Sequence, residues 1–261
     1  MVTTRYSFLL SLFLLPVFQP SVFAQNKYNF SQFGHETGRF FTQPLRWEGS
    51  DWLKLGVMTA GTVLATQADQ PIRTAVQKDQ RYYYSVPIEG GRMWGEIYMP
   101  FALFGGFALH SVLADDIGTR KIAYEVGQAS LYAAAITYTM KFAFGRARPY
   151  TNDGPATYHP FTITDDGYHS LSSGHATIAF VLSTVLSRNV KPLWLKILVY
   201  VPAVLTPISR VYQDQHWLSD NLLGATIGYL VATWVVDRHE EENNRVQLSS
   251  MFPLTISIAI D

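Results

Sequence analysis

The 261 residues suffice for one domain with a sizeable core, and 20 basic and 20 acidic residues leave no formal net charge. The absence of any long run of one charge argues against a nucleic-acid partner, and the absence of cysteine excludes disulfides, thiolate metal sites and a cysteine nucleophile. Hydrophobic residues make up 48% and charged residues only 15%, against about 25% charged in a typical soluble domain, which favours a membrane protein or an unusually apolar helical core.

Residues 1–24 have the pattern of a secretory signal peptide. A positively charged start precedes an almost entirely apolar run over residues 8–18, and residues 22–24 offer small side chains at the cleavage positions. An uncleaved anchor helix is the alternative, but Pro16 and the shortness of the apolar run disfavour a spanning helix. We therefore expect the mature chain to begin at Gln25 and to lie outside the cytoplasm.

Residues 25–51 are polar and aromatic and are predicted to form an N-terminal surface segment. The segment could lie along a membrane surface, but we favour its packing on the following domain.

Six apolar segments come next, and each is too long and too continuous for a typical half-buried strand. They predict helices over roughly 52–66, 98–114, 122–144, 174–188, 193–208 and 218–236. Turn-forming residues separate them, among them Pro71, Pro87 and Gly90-Gly91. We therefore predict an all-α bundle of about six core helices within a domain over residues 52–238. A tail over 239–261 follows, in which 254–258 could form a short strand.

The bundle is expected to be embedded in a membrane. A spanning helix needs about 20 predominantly apolar residues, and several of the segments are shorter or carry charges such as Lys54 and Glu125. The low charge content and the aromatic richness nevertheless favour membrane integration. The alternative is that these segments are the buried helices of a soluble periplasmic protein.

Three blocks of residues carry the candidate chemistry. The blocks are Lys141 to Pro149 with Arg148, Ser172-Ser173-Gly174-His175, and Ser209-Arg210 continuing to His216 and Asp220. Taken singly, each has an ordinary explanation, as a solvated basic face, a helix N-cap and an i,i+4 pair. Taken together, they converge, because antiparallel alternation of the predicted helices puts all three at the same end of the bundle.

That end of the bundle is suited to an anion. Three cations would meet there, Lys141, Arg148 and Arg210, beside two helix N-termini whose free backbone N–H groups favour negative charge. Guanidinium groups match phosphate oxygens in bidentate fashion, and phosphoryl transfer is catalysed mainly by positioning and charge. The blocks therefore predict a phosphoryl site.

The two histidines can divide the catalytic labour in this site. A neutral imidazole can attack phosphorus while a second donates a proton to the leaving oxygen. Asp220 lies one helical turn after His216 and could accept its Nδ1 proton, whereas His175 has no comparable carboxylate within one turn and suits the role of acid. No acidic cluster is arranged to hold a divalent ion, so we expect neither a metal nor a cofactor. Asp165-Asp166 is read as a solvated turn.

The three blocks resemble the signature of the type 2 phosphatidic acid phosphatase and vanadium haloperoxidase superfamily, K-x6-R-P, P-S-G-H and S-R-x5-H-x3-D. Both outer blocks match in full, and the middle one departs once, with Ser172 where proline is usual. The resemblance implies a phosphohistidine on His216, with Asp220 as its partner and His175 as the general acid. It also implies that phosphate is bound by five residues, Lys141, Arg148, Ser173, Gly174 and Arg210.

The resemblance and the anion site together predict a metal-independent phosphatase. Its substrate is expected to be a phosphomonoester or diphosphate, most readily of a lipid, with the active site facing the periplasm from a bacterial inner membrane. A soluble periplasmic acid phosphatase of broad specificity, acting on small phosphoesters, is the alternative. A vanadate-dependent haloperoxidase, for which the chain looks short, and a non-catalytic protein that binds anionic lipid are weaker alternatives. No oligomeric state is indicated.

Overall fold

The computed structural model describes residues 26–251, with the side chains of residues 26–240. Nine α-helices and no β-strand occur within this part of the chain, which confirms the all-α class. The helices are α1 (Phe30–Thr42), α2 (Gly49–Val76), α3 (Val86–Trp94), α4 (Tyr98–Leu113), α5 (Ile117–Phe144), α6 (Gly174–Asn189), α7 (Leu193–Leu198), α8 (Val201–Tyr212) and α9 (Leu218–Met251). The predicted signal peptide and the strand predicted over 254–258 lie outside the described residues.

Helices α5, α6 and α9 form the centre of the bundle, and their facing sides carry small and β-branched side chains. Ala129, Val181 and Val235 are fully buried there, and each buried valine contributes roughly 1.5–3 kcal/mol relative to an exposed one. Gly228 of α9 lies against α6 so closely that a Cβ would come within 2.2 Å of the Thr177 carbonyl oxygen. Close backbone approach therefore fixes α6 and α9 relative to each other.

Capping residues determine where two of these central helices begin. Asp116 caps α5 by accepting hydrogen bonds from the backbone N–H groups of Gly118 and Thr119, and Ser173 caps α6 by accepting from Ala176. The α6 cap lies in the middle block of candidate site residues, so the start of this helix and the site are specified by the same short stretch of sequence.

Several helix boundaries differ from those predicted. Helix α2 runs to Val76 although Pro71 was read as a breaker, since proline removes one backbone donor but the residues after it stay helical. The predicted break at Pro87 and Gly90-Gly91 is instead helix α3, with its proline in the first turn, where no N–H partner is needed. Residues 193–208 form two helices, α7 and α8, and α9 extends well past residue 238.

Helix α1 packs on the domain through a buried polar cluster. Glu36 accepts hydrogen bonds from Gln128 of α5 and from Tyr124, and it lies 3.4 Å from Nε2 of His239 in α9. His239 Nδ1 lies 3.0 Å from Glu125. The cluster provides a partner for each buried charge and holds α1 against the two central helices.

Large apolar side chains are exposed along the outer faces of α2, α4, α7 and α8. They include Val57, Val63, Leu64, Phe101, Phe104, Leu109, Val112, Leu193, Trp194, Ile197, Val201 and Val204. By length and apolarity, one run among the described residues could cross a membrane, the 20 residues Leu193–Tyr212. Helices α3 and α4, bent by 68° from each other, supply a second candidate if they count as one span.

Candidate active site

The three blocks meet at one end of the bundle, where α5 ends and α6 and α9 begin. A cavity of about 250 Å³ opens there, and its lining includes Lys141, Arg148, Gly174, His175 and His216. The structure therefore brings together side chains separated by up to 75 positions in the sequence, as the antiparallel arrangement predicts.

Gly145 lets the first block turn back towards the site. It ends α5 with φ +57°, and a Cβ at this position would lie only 1.7 Å from the His159 carbonyl oxygen. Only glycine fits this left-handed, crowded position. Lys141, in the last turn before Gly145, is buried, and its ammonium group donates to the carbonyl oxygen of His169.

Arg148 is held by the loop that covers the cavity. Its Nε donates to the Asp166 carbonyl oxygen at 2.9 Å, and its Nη2 donates to Asp166 Oδ1 at 2.8 Å. Asp166 is exposed, as a solvated turn would be, but it also lines the cavity and pairs with a predicted phosphate ligand. A bound phosphoryl group would therefore compete with Asp166 for the guanidinium.

Arg210 lies buried in the last turn of α8. Its Nη1 donates to Gln213 Oε1 at 2.8 Å, whereas its Nε has no hydrogen-bond partner among the described residues. A buried guanidinium N–H without a partner is unfavourable, so an incoming oxyanion that accepts from it would be stabilised. Ser173, also buried, uses its hydroxyl to cap α6 rather than to reach into the cavity.

The protonation state of His216 follows from its neighbours. Its Nδ1 lies 2.9 Å from the carbonyl oxygen of Ser170. Because a carbonyl oxygen can only accept, the proton of the neutral imidazole is on Nδ1 and the lone pair is on Nε2. Burial, together with Arg148, Lys141 and Arg210, holds the pKa of His216 well below 6.5, so the ring is neutral at pH 7.

Asp220 does not hydrogen-bond His216, contrary to the arrangement expected from their i,i+4 spacing. Its Oδ2 lies 4.0 Å from His216 Nδ1. Asp220 instead accepts from the Ser170 hydroxyl, the Trp217 backbone N–H and Arg146 Nη1. The carboxylate therefore binds the backbone N–H of the residue after His216 and the side chain of Ser170, and the helical spacing brings it near the ring without a hydrogen bond between them.

Arg146 is a fully buried residue to which the sequence motifs assign no role in the site. Its Nη1 donates to Asp220 at 2.6 Å and its Nη2 to Asp69 of α2 at 2.7 Å. Asp69 also accepts from the backbone N–H and the hydroxyl of Ser219. One sequence signal was present, since Asp69 is an acidic residue within a long helical segment, but its partner lies 77 positions away.

His175 has a carboxylate neighbour that comes from outside the three blocks. Its Nε2 lies 3.4 Å from Oε1 of Glu96, which stands between α3 and α4. The prediction that no carboxylate lies within one turn of His175 holds along α6 but misses this residue. Burial and Arg210 lower the pKa of His175 to about 4, although Glu96 acts in the opposite direction.

The arrangement is suited chemically to a phosphoryl group. Lys141 and Arg148 line the cavity at the N-terminus of α6, and Arg210, near enough to affect His175, has an N–H without a partner among the described residues. A neutral imidazole whose lone pair is on Nε2 lines the same cavity as a second imidazole. These are the parts needed for nucleophilic attack on phosphorus with proton transfer to a leaving oxygen.

Comparison with known families identifies the segment that contains the site. The family model described as the PAP2 superfamily matches residues 125–243, which include all eight predicted site residues. The matched segment is a little under half of the chain, and through it the chain is similar to the PAP2 superfamily. The resemblance drawn from the sequence motifs is thereby confirmed.

Two curated relatives are named as a lipid A 1-phosphatase and an undecaprenyl-diphosphatase. Lipid A 1-phosphatase of Porphyromonas gingivalis is 35% identical over 102 residues, which are 37% of this chain and 20% of that protein. Undecaprenyl-diphosphatase of Sulfolobus acidocaldarius is 30% identical over 117 residues, 45% of this chain and 53% of that protein. The chain thus spans about a fifth and about half of the length of these relatives.

A solved PAP2 structure shares the fold. It is the crystal structure of the transmembrane PAP2-type phosphatidylglycerolphosphate phosphatase from Bacillus subtilis, with a TM-score of 0.52 at 20% identity. The similarity covers 70% of this chain and 94% of the other. It extends the shared architecture well beyond residues 125–243.

Proposed function

We propose that the protein is a phosphatase that hydrolyses a phosphomonoester or diphosphate of a lipid, through a phosphohistidine on His216 and without a metal ion. The single observation that carries the proposal is the cavity in which Lys141, Arg148, His175 and His216 meet. The match of residues 125–243 to the PAP2 superfamily and the relatives that are named as phosphatases support it.

In this proposal the cavity binds the terminal phosphoryl group. Lys141, Arg148 and Arg210 neutralise its oxygens, and the backbone N–H groups at the start of α6 around Gly174 donate to them. Arg148 exchanges Asp166 for a phosphate oxygen, and the free Nε of Arg210 gains an acceptor. The fixed charges then supply the stabilisation that a metal ion provides in other phosphatases.

The chemical step uses both imidazoles. Nε2 of His216 attacks phosphorus, the bond from phosphorus to the leaving oxygen breaks, and His175 gives its proton to that oxygen. The phosphoryl dianion raises the pKa of His175 from its low value in the empty cavity, because opposite charge favours the imidazolium. Water then attacks the phosphohistidine with His175 as base, which releases inorganic phosphate and restores His216.

A lipid substrate is favoured by the surface around the site. Tyr138, Phe142, Phe144, Tyr158 and Phe161 are exposed at the site end, and aromatic side chains of this kind are typical of a membrane interface. The exposed apolar faces of α2, α4, α7 and α8 extend away from this end. In the proposal they contact lipid tails, while the cavity and its polar loop lie at the head-group level, outside the spanning segments.

We further propose that this end faces the periplasm of a bacterial inner membrane, as the predicted signal peptide suggests. A cysteine introduced at the exposed Ala156, in the loop over the cavity, tests the facing. A membrane-impermeant maleimide is expected to label this cysteine in intact spheroplasts. Labelling that requires lysis would place the site on the cytoplasmic side.

The decisive experiment measures inorganic phosphate released by purified protein in detergent from a panel of lipid phosphates, lipid diphosphates and soluble phosphoesters. We expect release from at least one lipid, and a loss of at least about 10³-fold on His216→Ala, because removal of a nucleophile leaves only binding and electrostatic catalysis. EDTA is expected to leave the rate unchanged. His35→Ala is the matched control.

Each other result on the panel has a defined meaning. Release from soluble esters alone would support the acid-phosphatase alternative and overturn the lipid assignment. Loss of activity in EDTA that added metal restores would overturn the metal-free mechanism. Equal rates for His216→Ala and wild type would overturn the phosphohistidine.

A further inference from the structure

Glu96 stands at a sharp bend that is pressed against the beginning of α6. Helices α3 and α4 meet there at 68°, with Gly95 and Glu96 in the break. A Cβ on Gly95 would lie 2.6 Å from the carbonyl oxygen of His175 and 2.8 Å from Thr206 Cγ2. The absence of a side chain at residue 95 therefore lets the next residue approach the imidazole of His175.

The contact between Glu96 and His175 is electrostatic. Glu96 Oε1 lies 3.4 Å from Nε2 of His175, which is buried and has no aligned hydrogen-bond partner among the described residues. Both His175 and Glu96 line the cavity, at its side towards α3 and α4. The carboxylate of Glu96 thus faces the buried Nε2 of His175, the proposed acid.

Glu96 is itself held by a chain of polar contacts that leads to a phosphate-binding residue. Arg92 Nη1 donates to Glu96 at 2.6 Å, and Arg92 Nε donates to Glu89 at 2.9 Å. Gln213 then donates to Glu89 at 2.9 Å and accepts from Arg210 Nη1 at 2.8 Å. Helix α3, which lies outside the PAP2 match, therefore connects Glu96 to Arg210 through polar contacts.

We propose that Glu96 is a positioning residue for His175, which orients the imidazole and stabilises its protonated form so that it can donate to the leaving oxygen. This inference rests on the proposed phosphatase function. An imidazolium has two N–H groups. With one directed to Glu96, the other remains for the leaving group.

Glu96 is the acidic group that opposes the effect of two arginines on His175. Arg210 of α8 and Arg148 of the first block both disfavour the protonated ring, as burial does, and Glu96 opposes them. Glu96 in turn has a cationic partner of its own, since Arg92 Nη1 lies 2.6 Å from its Oε1. The other titratable groups that line the cavity among the described residues are Tyr138, Lys141, Asp166, His169 and His216.

The test compares two substrates that differ in their need for an acid. The leaving group of a short-chain phosphatidic acid is an alkoxide, which requires a proton. The leaving group of 4-nitrophenyl phosphate is a stabilised phenolate, which does not. For Glu96→Gln we expect kcat/KM to fall about 10-fold or more on the lipid, part of the ~10²–10⁴ typical of general acid catalysis, and by less than about 3-fold on the nitrophenyl ester. The alkaline limb of kcat on the lipid is expected to move to lower pH.

A double-mutant cycle separates positioning from a structural role. In a His175→Ala background, Glu96→Gln is expected to have no further effect on the lipid, because the group on which it acts is absent. Asp115→Asn, an exposed acid at the far end of α4, is the matched control and is expected to behave as wild type.

The outcomes distinguish a failure of the role proposed for Glu96 from a failure of the proposed phosphatase function. If wild-type protein cleaves both substrates but Glu96→Gln loses equally on both, or changes KM alone, Glu96 does not assist the acid. Additive losses in the cycle would overturn the inference in the same way. If wild-type protein cleaves neither substrate, the proposed phosphatase function itself is overturned.

Discussion

Ser170 contacts both His216 and Asp220, through two different atoms. Its carbonyl oxygen accepts from the imidazole, and its hydroxyl donates to Oδ2 of the carboxylate. Asp220 also accepts from the backbone N–H of Trp217, the residue that follows His216. Asp220 therefore holds both the residue after His216 and the residue whose carbonyl fixes the ring, while its negative charge lies close enough to favour a cation that develops on the ring of the proposed nucleophile.

Removal of the charge on Asp220 is expected to lower activity less than removal of the nucleophile. Asp220→Asn keeps the shape but leaves buried Arg146 with Asp69 as its remaining carboxylate. We expect kcat/KM for phosphate release to fall about 10²-fold, short of the loss on His216→Ala. The measurement is initial-rate kinetics on the best lipid substrate, with thermal unfolding to check that the variant is folded.

Ser170→Ala provides the control for that prediction. It removes only the hydroxyl that binds Asp220 and retains the carbonyl that fixes the tautomer of His216. A loss below about 10-fold is expected. If Ser170→Ala were as damaging as Asp220→Asn, the hydroxyl bridge rather than the charge would be the essential part.

At the scale of the elements, helix α3 is placed by an unusually close contact with α8. A Cβ on Gly91 would lie 2.6 Å from the backbone carbon and oxygen of Leu205, and the Thr206 hydroxyl donates to the Gly91 carbonyl oxygen at 2.7 Å. Gly90, the preceding residue, has nothing within 4 Å of a Cβ. There is therefore no room for a side chain at residue 91, whereas there is room for one at residue 90.

Gly91→Ala is expected to push α3 away from α8, since the obstructing atoms are backbone. We expect a loss of about 1–3 kcal/mol in stability and a parallel fall in phosphatase activity, because α3 leads directly to Glu96. Gly90→Ala is expected to be neutral or to stabilise by up to about 1 kcal/mol, as alanine favours the helix. Thermal unfolding and kcat/KM of the two variants check this, and equal behaviour would contradict it.

The same pair of glycines shows why part of the fold was not predictable. Because burial on a helix leaves a local pattern, continuous apolar stretches predict α4 and α6 to within one residue and the end of α5 correctly, although α5 begins five residues earlier than predicted. Pro87 and Gly90-Gly91 look like breakers by local propensity, whereas here proline occupies the first helical turn and Gly91 serves a contact with α8. Propensity yields to packing at such positions.

The residues of the candidate site also differ in whether the sequence alone could predict them. The spacing within each block is local, so Lys141 with Arg148 and His216 with Asp220 can be found from the sequence. Glu96 and Asp69 reach the site from α3 and α2, and their partners follow from how those helices pack. No periodicity within one segment encodes such a contact.

At the scale of the whole molecule, the chain combines an apolar exterior with a cavity at one end that contains several charged side chains. The exposed valines, leucines and phenylalanines of α2, α4 and α8 would form an apolar surface far larger than soluble monomers usually expose. Contact with lipid would remove that surface from water. The proposed lipid substrate and the apolar exterior thus have a common explanation in a membrane.

Site-directed spin labelling tests whether these faces contact lipid. The chain contains no cysteine, so each introduced cysteine is unique. Val204 of α8 and Val63 of α2 are 52% and 59% exposed. In liposomes, nitroxides at both positions are expected to collide with oxygen, which concentrates in the hydrocarbon, and to be shielded from a water-soluble nickel chelate.

A nitroxide at Ala156, in the polar loop over the cavity, is the matched control and is expected to show the reverse preference. Each labelled variant should retain phosphate release, which shows that the site is intact, since none of these residues lines the cavity. Nickel access at Val204 and Val63 equal to that at Ala156 would mean that the apolar faces meet water or another protein. The head-group position proposed for the cavity would then lose its support, whereas the chemistry within the cavity would be unaffected.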